Sequence, residues 1–184
     1  MKVFDLVNVR MGFGFRSKLE DDPKGNVRVI QPKDIENNGV LNMQHLCRVC
    51  MPVLKPNQQL IKGDVLLTSR GKFISAVYSK SMKKKCVASG SLLVLRVQEN
   101  KAVLPEYLAL YFNSKKGQRA FQRIMECSTI PSLNRSRLEE MKLMVPDLTT
   151  QKKLVALEQC KQRYAQLTCR KLELFNKITD RQLI

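Results

Sequence analysis

The sequence has few of the residues that enzymes use for chemistry. It contains no tryptophan, a single histidine (His45) and only 16 acidic residues among 184. One imidazole cannot form a general-base network with a second one. The sequence also lacks a phosphate-binding glycine loop, the Asn-Pro-Pro-aromatic tetrapeptide of adenine methyltransferases and a clustered acidic triad for a nuclease metal site. We therefore expect that this chain catalyses no reaction itself.

Long hydrophobic runs are missing as well. No apolar stretch approaches the roughly 20 residues that are needed to span a bilayer. The N-terminal segment is interrupted by Asp5, Asn8 and Arg10, which excludes a secretory signal. The six cysteines are scattered through a chain too large to need disulfide staples, as is typical of a reducing compartment. We expect a soluble, cytoplasmic protein.

Metal ligands are also scarce. His45, Cys47 and Cys50 could supply three zinc ligands, whereas a structural zinc site needs four. Cys86 or Cys127 could complete the set only if the fold brought one of them close. Because small thiols are commonly buried in protein cores, we interpret these cysteines as packing residues. We expect neither a metal nor a cofactor in this chain.

The sequence has a large excess of positive charge. Lys and Arg number 33, which gives a formal net charge of +17 and a pI near 9.9. A compact body with this surplus repels itself unless a polyanion neutralises it, and nucleic acid is the polyanion that fits best. Aromatic residues make up only 6% of the chain, so stacking on single-stranded bases is less favoured than binding to duplex DNA.

The first hundred residues carry strand signals and the rest carry helix signals. Short β-branched or leucine-rich runs bounded by turn residues predict strands. These runs lie at residues 27–30, 65–68 and 92–97. The apolar spacing predicts one helix from Pro105 and a second over residues 115–125, capped by Ser114. A short helix follows, in which Ser136 and Glu139 have the spacing of a capping box.

The C-terminal stretch differs from the rest. Residues 151–182 contain neither Pro nor Gly, which allows one helix of about 48 Å with Asp147 or Thr149 as its N-cap. Residues that recur every seven positions form an a/d seam, typical of helix-to-helix supercoiling. The seam consists of Leu157, Cys160, Tyr164, Leu167, Lys171, Leu174 and Ile178. It can pack on the parent domain or, as its length favours, on a helix from another chain. We predict the α+β class, with a mixed globular domain over residues 1–147 and a long coiled-coil helix over residues 148–184.

Basic side chains cluster in the turns of the predicted globular domain. The loop after "GDVLL" places Arg70 and Lys72 beside Gly71, which permits a close approach of the backbone. Arginine can hold guanine in the major groove, while lysine and serine suit phosphates. These turns could also be solvated surface, but we favour contact with DNA. The candidate DNA-binding residues are Arg16, Lys18, Lys24, Arg28, Ser69, Arg70, Lys72, Lys80, Lys83, Lys84, Lys85, Asn134, Arg135 and Arg137.

Four stretches, taken in order, resemble one protein family. They read "DIENNGVLN", "IKGDVLLTSRG", "PEYLALYFNSKKGQ" and "IPSLNRSRLEEMKLMVPDLTTQKKLVALEQ". Together they resemble the DNA-specificity (S) subunits of type I restriction-modification systems over nearly the whole chain. The resemblance implies a target recognition domain whose loops contact duplex DNA. It also implies a long helix that docks onto methyltransferase subunits and onto a second such helix.

The resemblance further implies where the chemistry takes place. S subunits carry no catalytic residues; S-adenosylmethionine serves the adenine methyltransferase subunits, and ATP with Mg²⁺ serves a motor subunit. A usual S subunit has two recognition domains and two helices, whereas this sequence has one of each. We therefore expect a half-subunit that pairs with an identical copy, as a homodimer, or with a different half. In the cell we expect it to be associated with the nucleoid.

Two other functions remain open at the level of sequence. A stand-alone DNA-binding or architectural protein could use the same domain without an enzyme partner, and a neighbouring adenine methyltransferase gene would argue against it. A basic RNA-binding protein would prefer folded RNA over duplex DNA at matched salt concentration.

Overall fold

The computed structural model describes residues 1–79, 85–125 and 132–182, with side chains to residue 179. Within these ranges the chain forms a globular body and a long C-terminal helix. The strands are β1 (Val7–Met11), β2 (Val27–Ile30), β3 (Cys47–Val49), β4 (Val65–Thr68), β5 (Ser75–Val77), β6 (Lys85–Ala88) and β7 (Leu92–Val97). The helices are α1 (Pro105–Asn113), α2 (Lys115–Met125), α3 (Arg135–Glu140) and α4 (Leu148–Gln182). In the described part of the chain, no helix is long and apolar enough to cross a membrane.

The larger sheet has four antiparallel strands in the order β1-β7-β4-β5. Successive side chains of a strand point to opposite faces, so each strand contributes side chains to both faces of the sheet. On one face Leu67 and Leu95 share a core with Phe112 of α1 and Phe121 of α2. All four side chains are fully buried. This face is therefore the contact between the sheet and the helices.

The smaller sheet has the order β3-β2-β6, with β2 parallel to β6 and antiparallel to β3. It shares a second core with the other face of the larger sheet, to which Leu66, Val94, Ile30 and Ala88 contribute. Its outer face is covered by the segment that follows β1, with Phe13 packed against it. The body is therefore a stack of helices, two sheets and a loop layer.

Most of the elements predicted from the sequence are present. The predicted strands at residues 27–30, 65–68 and 92–97 are confirmed, and so is the helix at residues 115–125. The stretch of residues 62–80 also predicts a second strand after its basic loop, which β5 confirms, and strands β1, β3 and β6 come in addition to the predicted set. The mixed sheets, the helices and the long C-terminal helix confirm the predicted α+β class.

Two of the predicted helix caps are present. The Ser114 hydroxyl accepts a hydrogen bond from the Gly117 N–H at 3.1 Å and so caps α2. Gly117 also lies against α1, where a Cβ atom would collide with the Tyr111 carbonyl oxygen, so glycine permits the close packing of the two helices. The Asp147 carboxylate accepts a hydrogen bond from the Thr150 N–H at 2.9 Å and caps α4.

A buried carboxylate ties the larger sheet to the turn before β4. Asp64 is fully buried, and its carboxylate accepts hydrogen bonds from the Arg96 guanidinium at 2.7 and 2.8 Å. The guanidinium of Arg10, on the neighbouring strand, lies 3.6 Å from the same carboxylate. The Ile61 N–H also donates to it, at 2.9 Å. One carboxylate therefore faces two arginines and fixes the turn.

A buried amide fastens α4 to the body. Gln151, in the first turn of α4, is fully buried. Its Oε1 accepts a hydrogen bond from the Leu104 N–H, and its Nε2 donates to the carbonyl oxygens of Ala102 and Pro146, each at 2.8 Å. The side chain thus links the helix to the segment before α1 and to the segment before α4.

Replacing Gln151 with Leu is expected to loosen this joint. Leucine leaves one N–H and two carbonyl groups without partners, and each such buried group costs about 1–3 kcal/mol. We expect a lower free energy of unfolding in urea and faster hydrogen exchange of the Leu104 amide. The control is Gln166→Leu at an exposed position of the same helix, which should change neither quantity. An unchanged exchange rate at Leu104 in Gln151→Leu would contradict the role of this amide.

Candidate nucleic-acid interface

The loop between β4 and β5 forms a tight basic turn. Gly71 adopts a φ of +69°, a conformation that favours glycine. Thr68 closes the turn, because its hydroxyl donates to the Lys72 carbonyl oxygen and accepts a hydrogen bond from the Ile74 N–H. The side chains of Arg70 and Lys72 are exposed. The turn therefore presents two cations on a fixed main chain.

This turn lies directly beside the start of α3. Arg70 pairs with Ser132 in an antiparallel bridge, and the Leu133 N–H donates to the Ser69 carbonyl oxygen at 2.8 Å. Leu133 is buried, which anchors the contact. Two groups of candidate DNA-binding residues, far apart in the sequence, are thereby brought together. We call these two segments, residues 69–73 and 132–137, the recognition edge.

The helical half of the recognition edge is organised by Asn134. Its side chain caps α3 by accepting a hydrogen bond from the Arg137 N–H at 2.9 Å. The predicted capping box of Ser136 and Glu139 is wrong, because Asn134 occupies the N-cap position. Glu139 instead accepts a hydrogen bond from the Arg135 Nε at 2.7 Å. Arg135 is therefore partly neutralised by the protein itself.

Ser69 supports the recognition edge from inside. Its side chain is buried, and its hydroxyl donates to the Ser91 carbonyl oxygen at 2.9 Å. Its N–H donates to the same oxygen at 3.0 Å. The Ser69 hydroxyl is therefore not free to face DNA, as the sequence suggested, because it is buried and bonded to Ser91. Its role is to hold the turn against the β6–β7 connection.

A polar cavity of about 510 Å³ is lined by residues of β2, of β3 and of the segments beside them. The Ser89 N–H donates to the Ile30 carbonyl oxygen at 2.8 Å, which joins the end of β2 to the β6–β7 connection. The candidate Arg28 lines the cavity together with Lys33 and His45. The last two residues are absent from the predicted set, because nothing in their local sequence places them beside Arg28.

An ion pair at this cavity engages Arg48. The Arg48 guanidinium donates to the Asp21 carboxylate at 2.6 Å, and this bond together with the Arg48 N–H holds the pKa of Asp21 at about 2. Because the pKa of the folded state lies below the ordinary value of 3.8, the pair stabilises the fold above that value. The contribution is lost as the pH falls toward 2. At neutral pH this cation is held by the protein.

The remaining candidates belong to other segments of the chain. Arg16 and Lys18 are exposed in the segment after β1. Lys24 precedes β2 and Lys85 begins β6, where it pairs with Val27 in the parallel register. This is the opposite end of β6 from its connection to β7. The candidates that lie outside the described residues are Lys80, Lys83 and Lys84.

The cysteines are distributed between the core and the surface. Cys47 and Cys86 are buried and Cys50 is exposed. Burial raises the pKa of Cys86 to about 12, so its thiol stays protonated at neutral pH. Among the described residues, no group of three or more His, Cys, Asp and Glu side chains is placed to hold a metal ion. Cys127 lies outside these residues.

The predicted seam lies on α4 and is open to solvent. Its apolar members are 53–75% exposed: Leu157, Tyr164, Leu167, Leu174 and Ile178. Cys160 is exposed, and the Lys171 ammonium lies 5.7 Å from the centre of the Phe175 ring. The alternative in which the seam packs on the parent domain is wrong, since this exposure leaves the seam uncovered by its own body.

Four cations on α2 are absent from the predicted set. Their side chains are exposed on the face opposite the buried Gly117 and Phe121. They are Lys115, Lys116, Arg119 and Arg123. The helical period of the sequence contains the signal that could have found them, because positions four apart share one face.

Comparison with protein-family models shows which family the chain belongs to. The model of the type I restriction modification DNA specificity domain matches residues 1–158. The chain belongs to this family. The match covers the globular body, the recognition edge and the first turns of α4, so the resemblance seen in the four sequence stretches is confirmed.

Solved structures share the fold of this type I specificity domain. A structure from a study of complex assembly and conformational transition of the type I R-M system is 19% identical, with a TM-score of 0.64, over 94% of this chain and 40% of that one. The HsdS subunit from Thermoanaerobacter tengcongensis is 18% identical, with a TM-score of 0.61, over 91% of this chain and 38% of that one. The type I S subunit from M. genitalium is 16% identical, with a TM-score of 0.55, over 95% of this chain and 42% of that one. The chain thus spans about 40% of the length of these proteins. Comparison with curated proteins gave no significant match.

Proposed function

We propose that this type I specificity domain is a target recognition domain that binds duplex DNA sequence-specifically through the recognition edge. The recognition edge carries the proposal, because it joins two basic segments that are distant in the sequence. Arg70 and Lys72 come from the turn and Arg137 from the start of α3. The net charge of +17 supplies the general attraction to phosphate.

Within the recognition edge, different side chains read bases and hold the backbone. An arginine can donate two parallel hydrogen bonds to O6 and N7 of guanine, which distinguishes this base in the major groove. Arg70 suits this role because it is exposed on a turn whose main chain is fixed by Thr68 and by the bridge to Ser132. Lys72 is a compact charge that suits phosphate oxygens.

The domain acts as one part of a larger enzyme in this proposal. The open seam of α4 supports pairing with a second such helix, from an identical chain or a different half, and docking onto adenine methyltransferase subunits. Two identical chains related by a two-fold axis read a two-part inverted repeat with a fixed gap. S-adenosylmethionine, ATP and Mg²⁺ belong to the partner subunits, and the assembly works on DNA in the cytoplasm, at the nucleoid.

The test of sequence-specific binding is selection of duplex DNA from a random pool by the purified chain, followed by sequencing. Enrichment of an inverted repeat with a constant gap supports a paired recognition domain. Retention of DNA without an enriched motif reduces the chain to an electrostatic binder. Retention of no DNA at moderate salt overturns the proposal.

An Arg70→Ala variant is expected to lose affinity for the selected sequence about 5- to 150-fold, the effect of one good contact between arginine and guanine. Affinity for unrelated duplexes should change far less, because those complexes depend on phosphate contacts. Fluorescence anisotropy at one fixed salt concentration measures both affinities. The control is Arg170→Ala on α4, which removes the same charge from an exposed position. Equal losses on selected and unrelated DNA would remove Arg70 from the base-reading role.

A further inference from the structure

We propose that the exposed face of α2 binds the phosphate backbone of DNA beside the base pairs read by the recognition edge, an inference that rests on the proposed function. Four exposed cations form this face, which we call the α2 face. They are Lys115, Lys116, Arg119 and Arg123. Its partner is the backbone of the same duplex, and its role is to position the domain on DNA.

Among the described residues, no carboxylate pairs with the cations of the α2 face. The helix reads "KKGQRAFQRIM" and contains no carboxylate of its own. By contrast, Arg10, Arg48 and Arg96 are each held by an aspartate. The charge on the α2 face is therefore available to an external polyanion.

The position of α2 connects this charge to the recognition edge. The Gln118 Nε2 donates to the Phe73 carbonyl oxygen at 2.7 Å, and the rings of Phe73 and Phe121 lie 5.3 Å apart. At the other end of the helix, the Arg137 Nη1 lies 4.0 Å from the Met125 sulfur. The helix thus contacts both halves of the recognition edge, and a duplex seated there passes beside the α2 face.

The dimensions of the α2 face match a short stretch of DNA backbone. Lys115, Arg119 and Arg123 follow one another at four-residue intervals, so they lie about 6 Å apart along the axis in a row of about 12 Å. Each cation of the row can pair with one phosphate, so the row engages up to three neighbouring phosphates of one strand. Gly117 and Phe121 are buried on the opposite side, which fixes the rotation of the helix.

Backbone contact predicts a specific pattern of loss. Contacts to phosphate position a protein without reading sequence, and each neutralised phosphate adds about 0.9 to the slope of log K against log salt. Removing the four cations should therefore weaken binding to selected and unrelated DNA by the same factor. It should also lower the magnitude of the salt slope by about 2–4.

The test is a variant with Lys115→Gln, Lys116→Gln, Arg119→Gln and Arg123→Gln, assayed as the full chain. In ethylation-interference mapping, the wild type should show interference at two or three neighbouring phosphates of one strand that the variant no longer shows. Its thermal unfolding should match that of the wild type, because all four side chains are exposed.

A matched variant controls for net charge. Lys152→Gln, Lys177→Gln, Arg163→Gln and Arg170→Gln remove two lysines and two arginines from exposed positions of α4. This control should shift the salt slope much less and leave the interference pattern intact. Identical slopes and patterns for the two variants overturn the role of the α2 face, while the proposed function stands if the wild type still selects a motif. Absence of salt-dependent duplex binding by the wild type overturns both.

Discussion

An Asp64→Asn variant is expected to have a free energy of unfolding about 2–3 kcal/mol lower than the wild type, as measured in urea. Asparagine keeps the size of the side chain but removes the charge that faces Arg96 and Arg10. The arginine side chains are 32% and 26% exposed, so water screens the charges left behind, but the buried Asp64 position loses its charge-assisted hydrogen bonds to the Arg96 guanidinium. Domains of this size are stable by only about 5–15 kcal/mol, so the variant should lose a large share of its stability.

The matched control for this prediction is Asp21→Asn. Asp21 also pairs with an arginine at 2.6 Å, but its side chain is 47% exposed. Exposed pairs are screened by solvent and contribute little, so this variant should unfold close to the wild type. Equal destabilisation of the two variants would show that burial of Asp64 is not the cause. The double variant Asp64→Asn with Arg96→Gln should recover part of the loss, because it removes one uncompensated charge.

A double variant in the seam, Leu167→Lys with Leu174→Lys, is expected to abolish pairing of the chains. Both leucines are more than half exposed on α4, so the substitutions leave the fold of the body intact. Linked binding of two half-sites exceeds single-site binding by about 10²–10⁴-fold, so affinity for the two-part DNA site should fall by about 100-fold or more. Affinity for a duplex with one half-site should be retained. Sedimentation and anisotropy measure the two effects.

Lysine was chosen so that the effect of lost pairing on DNA affinity can be distinguished from the effect of charge. Each added lysine by itself strengthens the attraction to phosphate, so a loss of affinity for the two-part site cannot come from charge. The control is Gln166→Lys with Asn176→Lys, which adds the same charge at exposed positions outside the seam. A wild type that sediments as a monomer on the two-part site, or a seam variant that remains paired, would contradict the role of the seam.

The sequence predicts those parts of the fold whose signals are local. Residues 65–68 and 92–97 are continuous apolar runs bounded by turn residues, and they form central strands of the larger sheet. Strand β6 has a weaker local signal because Lys85 and the lysines before it suggest a solvated turn. The residues of β6 form a strand because they pair with β2, far away in the sequence. Such pairing is not visible in a local window of residues.

In the candidate interface, too, some features can be predicted from the local sequence and others depend on the fold. Arg70 and Lys72 can be found from the sequence because a glycine turn follows a buried strand. Their contact with Ser132 cannot, since it depends on how the helices pack on the sheet. The role of Ser69 is likewise set by its burial against Ser91. The seven-residue repeat of α4 is a local pattern, so its exposed apolar residues can be located from the sequence, while its pairing with another helix stays a prediction.

The turn of the recognition edge is fixed by hydrogen bonds to its main chain. Thr68 and Gln118 donate to the carbonyl oxygens of Lys72 and Phe73, and Leu133 donates to that of Ser69. The side chains at positions 70 and 72 are exposed and take no part in these bonds. Large losses of stability arise from changes to buried or bonded groups, so substitutions at these two positions leave the fold nearly unaffected. Under the proposed function, a mutation at either position can therefore change the DNA target at little cost in stability.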